Sequence, residues 1–376
     1  MDDKICNIPY INKIYSNVKD VDENSLMNLY EDILDSNCII LLGSGRSLYA
    51  ASIPLSQLSI TTGKIVFSSD DLGFPGGLVK EFMRNLEEKF GSICVIVNSG
   101  SGESTDPKIT LNEIVSYIEE RQSNKIKINV MTSNPNSTMG KIGQKYGNVI
   151  ELKGREKTPQ WDYKSQGIMG DVYELGSAYI LQAIVDAVYF KDENKIFDYI
   201  DNELPFIGSK IDEYICLLED IVDILEKRCN VFGSARGTGE KVVDMTLIRL
   251  HHVKSVLGDG VYKARGINTP RPRKGDLQIS VSFSGETKVV IEWVKTFKEL
   301  EGYQFSISSN PNSKLIKLSD FKIILREKED SMPRKFYIRA AFILSPIPLL
   351  LIDKLNKKGL NLPEHLIRYL YHSVIE

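Results

Sequence analysis

Two hexapeptides in this chain carry nearly the same chemical groups: Ser99, Gly100, Ser101, Gly102, Glu103 and Ser104, and then Ser282, Phe283, Ser284, Gly285, Glu286 and Thr287. Hydroxyls at the first, third and sixth places are neutral hydrogen-bond donors, and glycine lets the backbone approach a ligand closely. A second pair of loops lies upstream. Gly43, Ser44, Gly45, Arg46 and Ser47 follow the apolar run 39–42, and Gly233, Ser234, Ala235, Arg236 and Gly237 follow 230–232. Each loop ends a run that reads as a buried strand and precedes a helical stretch. In open parallel sheets ligands gather at the carboxyl ends of strands, where helix N-termini offer unpaired N–H groups and partial positive charge. The chemistry that fits is phosphate binding without a lysine. One Ser-Gly pair would read equally well as a cap and a turn. Two such loops in each half, in the same order, carry the phosphate reading. Neither half has the Gly-Lys-Ser/Thr of a P-loop, and 43–48 stops one glycine short of Gly-x-Gly-x-x-Gly.

The elements that must position these loops alternate along the chain. Strands are expected at 38–42, 93–98, 128–132 and 149–152, with helices over 23–37, 48–58, 106–122, 138–146 and about 170–190. That order implies a parallel sheet covered on both faces. Asn-Pro-Asn-Ser occurs at 134–137 and again at 310–313, so the scheme is a tandem duplication. Residues 203–208 read as the linker, giving a first domain over 1–204 and a second over 205–376, which opens with a helix over 210–228 and ends with one over 363–375. A length of 376 residues suits two domains, and 42% hydrophobic with 26% charged residues suits a globular chain. The longest apolar candidate, 340–352, is short for a membrane span and contains Pro346 and Pro348. The N-terminus lacks the plan of a signal peptide, so the cytoplasm is the expected compartment. Five cysteines form no Cys-x-x-Cys and read as reduced core residues. A net charge of −3 predicts no nucleic-acid footprint, and the basic stretch 263–274 reads as a solvated loop. His251 and His252 are expected to cap the carboxyl end of a helix over 242–250.

These loops resemble the sugar isomerase (SIS) domain, and the resemblance covers essentially the whole chain as two copies. The branch it is most similar to is 6-phospho-3-hexuloisomerase: Gly170, Asp171, Val172, Tyr173, Glu174 and Leu175 match that family's Gly-x-x-Phe/Tyr-Glu-Leu helix, and 371–376 match its final helix with a histidine. The resemblance implies two flavodoxin-like domains, each a parallel five-stranded sheet flanked by helices, related by a pseudo-twofold. It implies aldose–ketose isomerisation of a phosphosugar through a cis-enediol, with a glutamate base, a histidine from a neighbouring domain, and neither metal nor redox cofactor. Aligning 178–181 with 341–344 puts Tyr337 opposite Glu174, and a one-residue slip puts Ile338 there. All four histidines (His251, His252, His365, His372) lie in the second copy, while the first has Tyr199 near the place of the last. The resemblance therefore implies one composite site between the copies. In it Ser44, Gly45, Arg46, Ser47 and the loop 99–104 hold phosphate, Glu174 is the base, and His372 assists, with His365 the second candidate. Ser234, Arg236, Ser282, Ser284, Gly285 and Thr287 form a second site, regulatory or vestigial, where Gly237 and Phe283 alter the fit. The expected partner is a sugar phosphate, with no nucleic acid or membrane, in a pseudo-dimeric monomer or a homodimer. The alternative is a non-catalytic sugar-phosphate sensor.

Overall fold

Five successive apolar residues at 38–42 and at 93–97 leave no polar face, so each can be a strand only where both sides are covered. In the computed structural model, which describes residues 4–155, 162–168, 170–266, 268–360 and 362, both are fully buried strands. The first sheet is built from β1 (Cys38–Gly43), β2 (Ile65–Ser68), β3 (Ile93–Asn98), β4 (Ile126–Thr132) and β5 (Gly147–Glu151), all parallel, in the order β2-β1-β3-β4-β5. The second contains β6 (Val231–Ala235), β7 (Val261–Lys263), β8 (Leu277–Val281), β9 (Tyr303–Ser308) and β10 (Phe321–Ile324). Its strands are also all parallel, and its order β7-β6-β8-β9-β10 repeats that of the first sheet. Register sets Gly43 beside Asn98 and Ala235 beside Val281, so in each sheet the two sequence-selected loops leave adjacent strands at the same edge.

The chain divides into two compact units, each holding one sheet. Residues 11–155 and 170–204 belong to the first; 4–10, 162–168 and 205–360 belong to the second. The segments 4–10 and 162–168 thus leave the sequence half in which they stand. Apolar side chains of β1, β3 and β4, with Met83, Leu111, Ile114 and Met139 from flanking helices, form a core of the first unit. Burial in β1 raises the Cys38 thiol to about 11, which keeps it protonated and inert in that core.

Of the five cysteines read as core residues, Cys6, Cys38, Cys94 and Cys229 are buried but Cys216 is exposed. Three expectations about elements are also corrected. Residues 203–208 are no linker: they lie inside a 32-residue helix, Asn194–Leu225, with Pro205 in its interior. Interior proline costs about 3 kcal/mol. Ile196, Ile200, Leu204, Ile207 and Ile211 are all buried at helical spacing across it, and burying each contributes about 1.5–3 kcal/mol, so the stripe prevails. His251 and His252 do not end a helix, because Val253 extends its buried face and Thr238–Val256 runs past them to a cap at Leu257. The apolar stretch is longer than 340–352. Helices Phe336–Leu344 and Pro346–Lys357 make a 22-residue run, apolar enough to cross a membrane by length and composition, and 78% of its most apolar window is buried inside the protein. The helix expected at 363–375 lies outside the described residues.

Replacing Pro205 by alanine restores a helix N–H and removes the ring's clash with the preceding turn. The urea unfolding midpoint is expected to rise, by an amount worth up to about 3 kcal/mol. A lower midpoint would show that packing requires the proline at this place.

Candidate functional site

Ser99 leaves β3 by donating its N–H to Met131 O (3.1 Å), and the chain then turns so that Gly102 N reaches Ser99 O (3.0 Å). Gly102 has φ +65°, and a Cβ there would lie 1.9 Å from Ser137 Oγ, so only glycine fits. Ser99 Oγ and Ser104 Oγ are 3.0 Å apart, and Ser101 Oγ accepts from Glu103 N (3.2 Å). Ser104 is the N-cap of helix Thr105–Arg121 without a side-chain capping bond, so its hydroxyl and the helix's first amides face the same loop. Glu103 points elsewhere. Its carboxylate accepts from Thr138 N (2.6 Å), at the start of helix Thr138–Tyr146, and pairs with Lys108 (3.0 Å); the Thr138 N–H is the main reason its acidity is strengthened. Ser137, from the Asn-Pro-Asn-Ser motif, caps that same helix through Gly140 N.

The loop after β1 supplies the second wall. Ser44 is exposed and caps helix Gly45–Thr62 without a side-chain bond; Gly45 has φ +52°; Ser47 is buried, its carbonyl accepting from Asn98 Nδ2 (2.8 Å). Asn98 also donates to Ser177 Oγ (3.1 Å) and accepts from the Tyr173 hydroxyl (2.7 Å), which reaches Met131 O as well (2.6 Å). This network ties the two loops to helix Asp171–Phe190. Tyr173 is wholly buried, which holds its phenol well above the usual range and therefore neutral.

Arg46 does not face outward. It is 3% exposed and pairs with Asp171 and with Glu174 (Oε2 at 2.9 Å), both carboxylates being equally buried. Glu174 is thereby brought to the loop region that the sequence assigned to phosphate, in the first turn of its helix. Above it stands a residue the sequence reading missed. Arg155 is exposed, and its Cδ would lie 2.7 Å from a Cβ on Gly100 and 3.6 Å from one on Gly170, while Glu174 Cδ would lie 3.7 Å from the latter. The stem of the Arg155 side chain therefore passes close to both the hydroxyl loop and the start of the helix that carries Glu174. Asp171, Asn98 and Tyr173 were also missed as site residues, although Asp171 and Tyr173 stand within the Gly170–Leu175 motif. His365 and His372 lie outside the described residues. Among the described residues no group of three or more His, Cys, Asp and Glu side chains is placed to hold a metal ion.

The second unit repeats the loop. Gly285 has φ +65° against Ser313, Glu286 accepts from Lys314 N (2.8 Å), and Ser282 Oγ and Thr287 Oγ1 are 3.1 Å apart. Ser284 Oγ accepts from Glu286 N (3.2 Å), while Ser234 is buried on Ser280 (2.6 Å) and so turned into the sheet. Arg236 is exposed.

No family model matches the chain. An uncharacterized protein of Aeropyrum pernix is 30% identical over 163 residues, 42% of this chain and 73% of that protein. An uncharacterized protein of Methanothermobacter thermautotrophicus is 30% identical over 129 residues, 34% of this chain and 62% of that protein. The structure of tagatose-6-phosphate ketose/aldose isomerase from Escherichia coli is similar over 93% of this chain and 90% of its own, with a TM-score of 0.61 at 13% identity. The C-terminal domain of glucosamine-fructose-6-phosphate aminotransferase from Francisella tularensis is similar over 91% and 96%, with a TM-score of 0.56 at 13% identity. Glucosamine-6-phosphate deaminase from Thermotoga maritima is similar over 93% and 96%, with a TM-score of 0.55 at 12% identity. At these identities the likeness establishes the shared fold.

Arg46→Met would leave two buried carboxylates without their cation, and removing one partner of a buried ion pair costs about 3–5 kcal/mol. Urea denaturation is expected to show a loss of that order, whereas Lys80→Met, which breaks the largely exposed pair with Glu120, leaves the midpoint near that of the parent. Equal effects of the two substitutions would mean that the Arg46 cluster does not hold the unit together.

Proposed function

The chain is a tandem SIS-domain protein, of one family with the Aeropyrum pernix relative, and on that premise we propose that it binds a sugar phosphate and interconverts its aldose and ketose forms. The observation that supports the reading is that the exposed Arg155 side chain packs by Gly100 of the hydroxyl loop and by Gly170, which Glu174 also adjoins. In this reading Ser99, Ser101, Ser104 and the first amides of the following helix hold the phosphate, and Arg155 matches its charge. The base, Glu174, takes the proton from the carbon next to the carbonyl, the electron pair forms a cis-enediol, and the proton returns to the neighbouring carbon. Arg46 and Asp171 hold that carboxylate in one place. His372 is proposed from the sequence alone as the group that moves protons between the two substrate oxygens.

One observation favours a second reading. Glu174 is only 3% exposed and already paired with Arg46, as a structural carboxylate would be, and the site would then hold its ligand without turnover. Isomerase assays on hexose, hexulose, pentose and amino-sugar phosphates, beside ligand-dependent thermal shifts, separate the two. With Glu174 as base, Glu174→Gln lowers turnover by about 10²–10⁴ while the substrate still binds; parental turnover in a folded variant would remove the mechanism. His372→Ala is expected to depress turnover too.

Replacing Ser99, Ser101 and Ser104 together by alanine removes several neutral hydrogen bonds, each worth about 0.5–1.5 kcal/mol net. Sugar-phosphate affinity is expected to fall at least about tenfold. Unchanged affinity would place the phosphate somewhere other than this loop.

A further inference from the structure

The alignment that sets Tyr337 opposite Glu174 sets Arg334 opposite Asp171. Both acids that neutralise Arg46 in the first unit are thus replaced in the second, one by a cation and one by a phenol. Position supports the correspondence. The helix beginning at Phe336 packs on Thr238–Val256 as Asp171–Phe190 packs on Gly45–Thr62, and a Cβ on Gly239 would lie 3.7 Å from Tyr337 Cε1. Arg236 follows the end of β6 directly, as the exposed Ser44 follows the end of β1; it has no carboxylate partner among the described residues, and its guanidinium lies 4.9 Å from the centre of the Trp293 ring. Arg334 lies 3.9 Å over the Phe283 ring. Phe283, which the sequence marks as a change of fit beside the loop, is therefore the platform that fixes a second cation there.

These side chains enclose a cavity of about 210 Å³, lined by Arg236, Arg334, Tyr337 and the hydroxyl residues Ser282, Ser284 and Thr287. Thr287 is the N-cap of the 12-residue helix Lys288–Glu299 and makes no side-chain capping bond. Glu329 is the single carboxylate residue on the lining, against two guanidinium groups. Two cations, three hydroxyls and a helix N-terminus on one small cavity match a phosphoryl dianion. The cavity, open to solvent on one side, is smaller than the roughly 300–1,000 Å³ of sites for drug-sized ligands, so its walls contact a phosphoryl group and only a short chain beyond it, and the Tyr337 hydroxyl offers a partner to a hydroxyl there. We propose that the second unit carries its own binding site for a small phosphorylated polyol, which it holds without turning over because Tyr337 stands where the base would be. The site is separate from the one in the first unit and does not depend on that unit's being catalytic.

Titration calorimetry of the full chain with fructose 6-phosphate, and separately with inorganic phosphate, tests this. A binding component is expected that weakens at least tenfold in Arg236→Gln and in Ser282→Ala/Thr287→Ala, and persists in the Ser99/Ser101/Ser104 triple alanine variant. Arg236 is exposed, so its variant tests the site even if the double variant fails to fold. Should fructose 6-phosphate bind only through a component lost with the 99–104 serines, the proposal is overturned and the first-unit reading stands. Should the only component be the Arg236-sensitive one, the proposal stands and the first-unit reading falls. Inorganic phosphate binding at that component as tightly as fructose 6-phosphate would overturn the polyol part.

Discussion

A guanidinium that is 3% exposed has to meet its charge inside the protein, and Arg46 does so on Asp171 and Glu174. Arg46 sits in the first turn of its own helix, where the backbone dipole already disfavours a cation. Both acids sit in the first turn of theirs, where the same effect favours a carboxylate. The cluster therefore joins the starts of two packed helices that follow different parts of one sheet. Everything offered to a ligand in the first unit is referred to this junction: Asn98 and Ser177 tie it to the loop after β1, and Gly170 leaves room for Glu174 and Arg155 side by side.

The two loops are built on the same scaffold in both units. Gly102 and Gly285 share a left-handed backbone against Ser137 and Ser313, and Glu103 and Glu286 accept from the first amide of the next helix. Glu103 belongs to that scaffolding in the structure, whereas the sequence had grouped it with the phosphate ligands. The units diverge at 171 and 174 against 334 and 337, and at Gly100 against Phe283. Gly100 lets Tyr173 and Arg155 pack close, while Phe283 meets Phe336 edge to face (5.4 Å between ring centres) and carries Arg334.

How much of this the residues disclose beforehand depends on the kind of signal. The strands β1 and β3 are legible because each holds an uninterrupted apolar run of five that ends at a glycine- and serine-rich loop, and 138–146 is legible because serine caps it and glycine ends it. The edge strand β2 is not: four residues, partly exposed, leave no period to detect. Pro205 misleads because proline is a strong local breaker, and the stripe that overrides it is visible only over several turns. The Arg46–Asp171 contact joins residues 125 apart, beyond any spacing rule. A weaker signal did exist. Helix Asp171–Phe190 is buried over nearly its whole length, and charged residues in such a helix must find partners, so Asp171, Glu174 and Asp186 each called for one. Gln182 meets part of that demand, donating to Asp186 (3.0 Å) and accepting from Gln57 (2.9 Å).

Register accounts for the difference between the two arginines. Both follow a Gly-Ser-x pattern in sequence, but β1 ends at Gly43 and β6 at Ala235, and the left-handed glycines that follow are Gly45 and Gly237, so Arg236 takes the place of the exposed Ser44 and Thr238 that of Arg46. Where two carboxylates wait at the start of the packed helix, the cation is buried and its field is spent within the protein. Where Arg334 and Tyr337 stand instead, the place of Arg46 is taken by Thr238, a neutral side chain that needs no acid. Arg236 stays exposed against Trp293, at the mouth of a cavity that already holds a second guanidinium. The second unit thus drops the buried cation together with both of its acids, and the two arginines it carries at this end of the sheet, Arg236 and Arg334, stand on the cavity lining against a single carboxylate residue, Glu329.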